Sequence, residues 1–152
     1  MTYNMLHMYN NDLSGFLPPC LANLTSLQQL DLSSNHFKIP MSLSPLYNLT
    51  KLKSFDGSGN EIFVKEDDHN LSPKFRLESL YLSGIGQGVG AFPKFLYHQF
   101  NLQSLDLTDI QIKGEFPRDG SPREGMGDRC HHAVFSNALY YLPDNRFHEV
   151  GP

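Results

Sequence analysis

Residues 24–40 read LTSLQQLDLSSNHFKIP. The apolar side chains fall at Leu24, Leu27, Leu30, Leu32, Phe37 and Ile39, and Asn35 stands between the last leucine and the phenylalanine. Neither helical nor strand periodicity explains this spacing alone. Leu30 and Leu32 alternate as a half-buried strand does, whereas Leu24, Leu27 and Leu30 recur every third residue. A coil that turns a corner at each end of a short strand buries all of them on one side. Asn35 inside such a coil needs partners, because an unpaired buried amide costs about 1–3 kcal/mol. Backbone groups of its own turn and of the adjacent turn can supply them, which makes a ladder along a stack.

The pattern L-x-x-L-x-x-L-x-L-x-x-N-x-F recurs. Leu27 is followed by Leu52, Leu77 and Leu102 at a constant step of 25 residues, and preceded by Tyr3 at a step of 24. The Leu30–Leu32 pair becomes Leu6 and Met8, Phe55 and Gly57, Leu80 and Leu82, and Leu105 and Leu107. Asn35 becomes Asn11, Asn60, Ile85 and Ile110. Such a period is the mark of a leucine-rich-repeat solenoid. The fold class expected is α/β, a leucine-rich-repeat solenoid with a short parallel β-sheet on the concave face and irregular or 3-10 turns on the convex face. Strands are expected near 5–8, 29–32, 54–57, 79–82 and 104–107. Where Ile85 and Ile110 replace the asparagine, the ladder is expected to break or to be completed by water. Gly57, at a core position, is expected to leave a side chain missing.

The chain has 152 residues, a formal net charge of −4, and is 39% hydrophobic and 18% charged, which suits one globular unit. There is no basic stripe of the kind that binds nucleic acid, and no apolar run approaches the roughly 18 residues of a membrane span. The first residues, MTYNMLHMYNND, lack the charged-then-apolar layout of a secretory leader and begin inside a repeat. Cys20 and Cys130 make no disulfide framework, and Cys20 reads as a small buried filler between turns.

Three N-x-S/T sequons occur, at Asn23, Asn48 and Asn70, the last followed by Pro73. Asn23 and Asn48 hold the same repeat position, so glycans there would stand in register on an outer surface. That layout favours a secretory route.

After Asn11 the chain runs Leu13-Ser14-Gly15-Phe16-Leu17-Pro18, where glycine permits a sharp turn and proline holds an extended one. LSGFLP, LANLTSLQQLDLSSN and KGEFP (113–117) resemble the plant-specific repeat L-x-x-L-x-x-L-x-L-x-x-N-x-L-S-G-x-I-P. Residues 30–62 and 93–117 resemble the ectodomain of plant receptor-like proteins. The resemblance covers about residues 3–117. It implies a cell-surface recognition module at the plasma membrane, on its extracellular side, that binds a peptide or protein ligand with a co-receptor. A second reading is a secreted inhibitor of cell-wall-degrading enzymes built on the same repeat, although the cysteine-paired caps of such inhibitors are absent from this sequence. A third is a truncated product with no independent activity.

Residues 1–117 are expected to form the solenoid, in about five repeats, and residues 118–152 a non-repeat tail without fixed structure. The segment 63–75 (FVKEDDHNLSPKF) reads as a charged outer loop. The glycines of 84–90 (GIGQGVG) fail the G-x-G-x-x-G phosphate pattern, because Val89 stands where the third glycine belongs. Cys130, His131 and His132, with Asp128 or His148, match no zinc spacing. No G-x-S-x-G surrounds Ser58, and the aspartates lie on separate turns without a paired base. Neither catalytic set, cofactor nor metal is therefore expected.

Residues that flank the strand leucines would face outward on the concave side. The ligand-binding candidates there are His7, Tyr9, Gln29, Asp31, Ser33, Asp56, Ser58, Tyr81, Ser83, Asp106 and Thr108. Asp31, Asp56 and Asp106 would make an acidic column, with His7, Tyr9 and Tyr81 adding contact area and hydrogen bonds.

Overall fold

The computed structural model describes residues 4–65, 72–84, 92–111, 113–114, 139–141 and 146–147. Among them the strands are β1 (Met5–His7), β2 (Ser14–Phe16), β3 (Gln29–Asp31), β4 (His36–Pro40), β5 (Ser54–Asp56), β6 (Glu61–Phe63), β7 (Ser79–Tyr81), β8 (Ser104–Asp106), β9 (Lys113–Gly114), β10 (Leu139–Tyr141) and β11 (Arg146–Phe147). The main sheet is parallel and runs β1-β3-β5-β7-β8-β10. Its register is the one that the repeat spacing demands: Leu6 faces Leu30, Leu30 faces Phe55, Phe55 faces Leu80, and Leu80 faces Leu105.

In β5, β7 and β8 the middle residue is buried and its two neighbours are half-exposed. Leu30, Phe55, Leu80 and Leu105 thus make one column of the core, and Leu27, Leu52, Leu77 and Leu102 make another. Each such side chain contributes about 1.5–3 kcal/mol by leaving water. The first turn is less well covered, with Leu6 and Met8 only partly buried and Asn11 and Leu13 exposed.

The asparagine ladder forms as expected. Asn35 Nδ2 donates to the carbonyls of Leu32 and Ser33 in its own turn and of Met8 in the turn before, while its Oδ1 accepts from Leu13 N–H. Asn60 repeats the set with Gly57, Ser58, Leu32 and Phe37. Ile110 is buried at the same position, which makes that rung apolar, and Ile85 lies outside the described residues. One residue before the ladder position the backbone enters the left-handed region, at Asn10 (φ 56°), Ser34 (54°), Gly59 (72°) and Asp109 (60°). Glycine, asparagine and aspartate tolerate that conformation best. There the chain leaves the main sheet and turns into a second one.

That second, flanking sheet is β2-β4-β6, which the leucine spacing does not predict. Its signal is the alternation in His36-Phe37-Lys38-Ile39, where Phe37 and Ile39 are buried and His36 and Lys38 exposed. The convex side is made of 3-10 turns at Pro19–Asn23, Ser44–Leu46 and Lys94–His98, which bury Leu21, Leu46 and Leu96. Phe75 is fully buried among these turns, edge-to-face with Tyr47 and Phe95 at 6.0 and 6.2 Å.

Two expectations need correction. Cys20 is exposed, because the 3-10 turn that carries it buries Leu21 instead. The place of the side chain missing at Gly57 is filled: a Cβ there would lie 3.0–3.1 Å from Ile39, Leu82 and the tip of the Phe55 ring. Phenylalanine at 55, where other turns carry leucine, occupies the space that a leucine at 57 would take. Of residues 118–152, expected to lack repeat structure, the described pieces are β10 and β11. The remainder of that segment lies outside the described residues.

Candidate functional site

Parallel strands in register place like positions of successive turns about 4.8 Å apart. On the concave face this makes rows. One contains Gln29, Ser54, Ser79 and Ser104, with the Ser79 hydroxyl donating to Ser54 Oγ at 2.8 Å. The next contains His7, Asp31, Asp56, Tyr81 and Asp106. Beyond the strand ends stand Tyr9, Ser33, Ser58, Ser83 and Thr108. All eleven candidates lie on this face, His7, Tyr9 and Gln29 exposed and the others half-buried.

The aspartates have a local duty. Asp31 Oδ1 accepts from Ser33 N–H at 3.0 Å and from the Ser33 hydroxyl at 2.7 Å. Asp106 Oδ1 does the same with Thr108, at 2.9 and 2.6 Å, and Asp56 Oδ1 accepts from Ser58 N–H at 2.9 Å. D-x-S/T is thus a turn motif that holds the strand exit. It also engages one oxygen of each carboxylate, which favours one direction for it. They do not form one continuous column. Asp31 and Asp56 are neighbours, and Tyr81 separates Asp56 from Asp106. At the first turn His7 and Tyr9 meet edge-to-face with ring centroids 6.4 Å apart.

Asn23 and Asn48 are exposed on the outer side, one turn apart, and Asn70 lies outside the described residues. Among the described residues no group of three His, Cys, Asp or Glu side chains is placed to hold a metal ion. The Cys130, His131 and His132 cluster and the glycine-rich segment after Gly84 fall outside them. Among the described residues no helix is long and apolar enough to cross a membrane. A feature missed in the sequence is the flank of the second sheet. There Phe16 is 68% exposed, lies edge-to-face with Phe63 at 5.8 Å, and has the Lys38 ammonium 5.8 Å from its ring centroid.

The leucine-rich-repeat family model matches residues 4–24 and 26–46. The chain is similar to receptor-like protein 13 of Arabidopsis thaliana, 40% identical over 74% of this chain and 13% of that protein. It is also similar to Cuscuta receptor 1 of Solanum lycopersicum, 28% identical over 74% of this chain and 12% of that one. It therefore spans about an eighth of the length of these relatives. Among solved structures, it is similar to the ectodomain of the Arabidopsis thaliana membrane receptor kinase GASSHO1/SCHENGEN3, crystallised with CASPARIAN STRIP INTEGRITY FACTOR 2. The TM-score is 0.60 and the identity 26%, over 75% of this chain and 13% of that one. The ectodomain of the receptor kinase SOBIR1 from the same plant shares the fold, with a TM-score of 0.61 at 19% identity, over 93% of this chain and 66% of that one.

Proposed function

Since this chain belongs to the leucine-rich-repeat family and its repeats are similar to those of plant receptor-like proteins, we propose that it is a non-enzymatic recognition segment of a cell-surface receptor, facing the outside of the plasma membrane, whose concave side takes a peptide or protein ligand. The observation that carries this reading is the row His7, Asp31, Asp56, Tyr81 and Asp106, half-exposed or exposed on a continuous sheet, with one oxygen of each carboxylate bonded to its own turn. Solenoids use this surface for binding, and the similar ectodomain of GASSHO1/SCHENGEN3 was crystallised with a partner factor. Three aspartates on one face favour a basic ligand.

Size limits what this stretch does alone. The strands from β1 to β8 span roughly 20 Å, the length of about six residues of extended peptide. That contact falls below the ~800 Å² per partner of a standard stable interface. Tight binding accordingly requires further repeats or a co-receptor. Glycans at Asn23 and Asn48, and at Asn70 if its sequon is used, would cover the outer side and leave the concave side free.

Peptides of plant extracellular fluid, passed over the immobilised chain at low and at high salt, test the reading. Peptides retained by the wild type and by Lys94→Ala on the convex side, but lost in Asp56→Lys with a larger loss at low salt, support it. Equal retention by Asp56→Lys and wild type at both salts would place binding elsewhere.

A further inference from the structure

After β9 the 25-residue period fails, yet the two strands that follow repeat both pairings seen in the first three turns. β10 pairs with β8 in the main sheet, Tyr140 facing Leu105 and Tyr141 facing Asp106. β11 pairs with β9 on the flank, Arg146 facing Lys113. The flank register carries a second, independent sign. Ser14, eight residues after Leu6, faces His36, six after Leu30. Lys38, eight after Leu30, faces Glu61, six after Phe55. Lys113 is eight after Leu105 and Arg146 is six after Tyr140, the same offset again. The sequence agrees position by position, since Tyr140-x-Leu142-x-x-Asn145-x-Phe147 repeats Leu30-x-Leu32-x-x-Asn35-x-Phe37.

We infer that β10 and β11 are the main and flank strands of a sixth repeat, reached after a step of 35 residues from Leu105 to Tyr140 in place of 25. The longer step falls between β9 and β10, and the pairing of two strands depends on their spatial register rather than on the length of chain between them. The repeat covers the edge of β8. It also adds a register position to the concave row, with Tyr141 next to Asp106 on the side away from Tyr81. The value of Tyr141 for ligand binding rests on the reading of the concave face given above, whereas the repeat itself can be tested with no ligand present.

Hydrogen exchange on the full chain decides it. Met8, Leu32, Gly57 and Leu82 each donate their backbone N–H to the facing turn, to the carbonyls of Asp31, Asp56, Tyr81 and Asp106 at 2.8–2.9 Å. Continued to β8 and β10, the same pattern is expected to send the Leu107 N–H to the carbonyl of Tyr141. The Leu107 amide is expected to exchange within about tenfold of Leu82. In Tyr141→Pro, which breaks the last strand, it is expected to speed up by more than about tenfold while Leu82 stays protected. A Leu107 amide that exchanges in the wild type at the rate of an open chain overturns the inference, as does one unmoved by Tyr141→Pro. If Tyr141→Pro unfolds the whole chain, Leu82 reports it and the wild-type profile alone decides.

Discussion

The side-chain oxygen of Gln99 accepts a hydrogen bond from the backbone N–H of Leu77 at 2.7 Å, joining two successive turns through the core. In the other turns that N–H is satisfied locally, with Leu27, Leu52 and Leu102 donating to the carbonyls of Leu24, Leu49 and Gln99. Gln99 occupies the position held by Leu24 and Leu49, so an amide has replaced a leucine where the preceding turn departs from the pattern. Its Nε2 is buried and has no hydrogen-bond partner among the described residues. Gln99→Leu would therefore remove one good bond and one unpaired donor together, each of the order of 1–3 kcal/mol and opposite in sign. The expected outcome is a melting shift of less than about 4 °C with markedly faster exchange at the Leu77 amide. Unchanged exchange at Leu77 would show that the bond is not what protects it.

Phe55 and Gly57 should behave as one unit. Phe55→Leu alone opens a void and Gly57→Leu alone overfills one, each costing about 1–3 kcal/mol. The double variant restores the leucine pair of β8 and is expected to recover at least ~1 kcal/mol relative to the sum of the two. Thermal melts of the four proteins measure the coupling, and additive costs would refute it.

The ladder asparagines should differ in weight. Asn60→Ala strips partners from buried backbone groups of two turns, among them Phe37 N–H and the carbonyls of Leu32 and Gly57. At about 1–3 kcal/mol for each group left unpaired, a loss above ~2 kcal/mol is expected. Asn11 is exposed, and its side chain bonds the carbonyls of Met8 and Tyr9 within its own turn. Asn11→Ala should stay within about 0.5 kcal/mol, the range of an ordinary surface change. Equal denaturant midpoints for the two variants would contradict the ladder.

Asn23 and Asn48 are exposed acceptors one turn apart. Expressed through a secretory pathway, the chain is expected to lose one glycan increment in gel mobility with Asn23→Gln and another with Asn48→Gln, and Asn23→Gln/Asn48→Gln should lose both. A wild-type mobility unaffected by glycosidase would exclude modification at either site.

The sequence by itself determined the solenoid, its register, the leucine columns and the asparagine rungs. Each turn contacts only its neighbours, so a local pattern repeated every 24 or 25 residues specifies the whole stack. It also placed the eleven concave candidates, because strand alternation puts the flanking residues on one side. Only the tertiary structure decided how departures from the pattern are absorbed. Phe55 fills the place left by Gly57, Gln99 reaches Leu77, and Leu21 rather than Cys20 takes the core. Each of these depends on which side chain of one turn meets which position of another, and no period records that. The tertiary structure also showed that one oxygen of each aspartate carboxylate on the concave face is held by its own turn. Tyr140 stands ten residues later than the period requires, so the fixed step misses it although the motif around it recurs. The sheet pairs it with Leu105, because strand pairing reads spatial register and is blind to the length of chain between two strands.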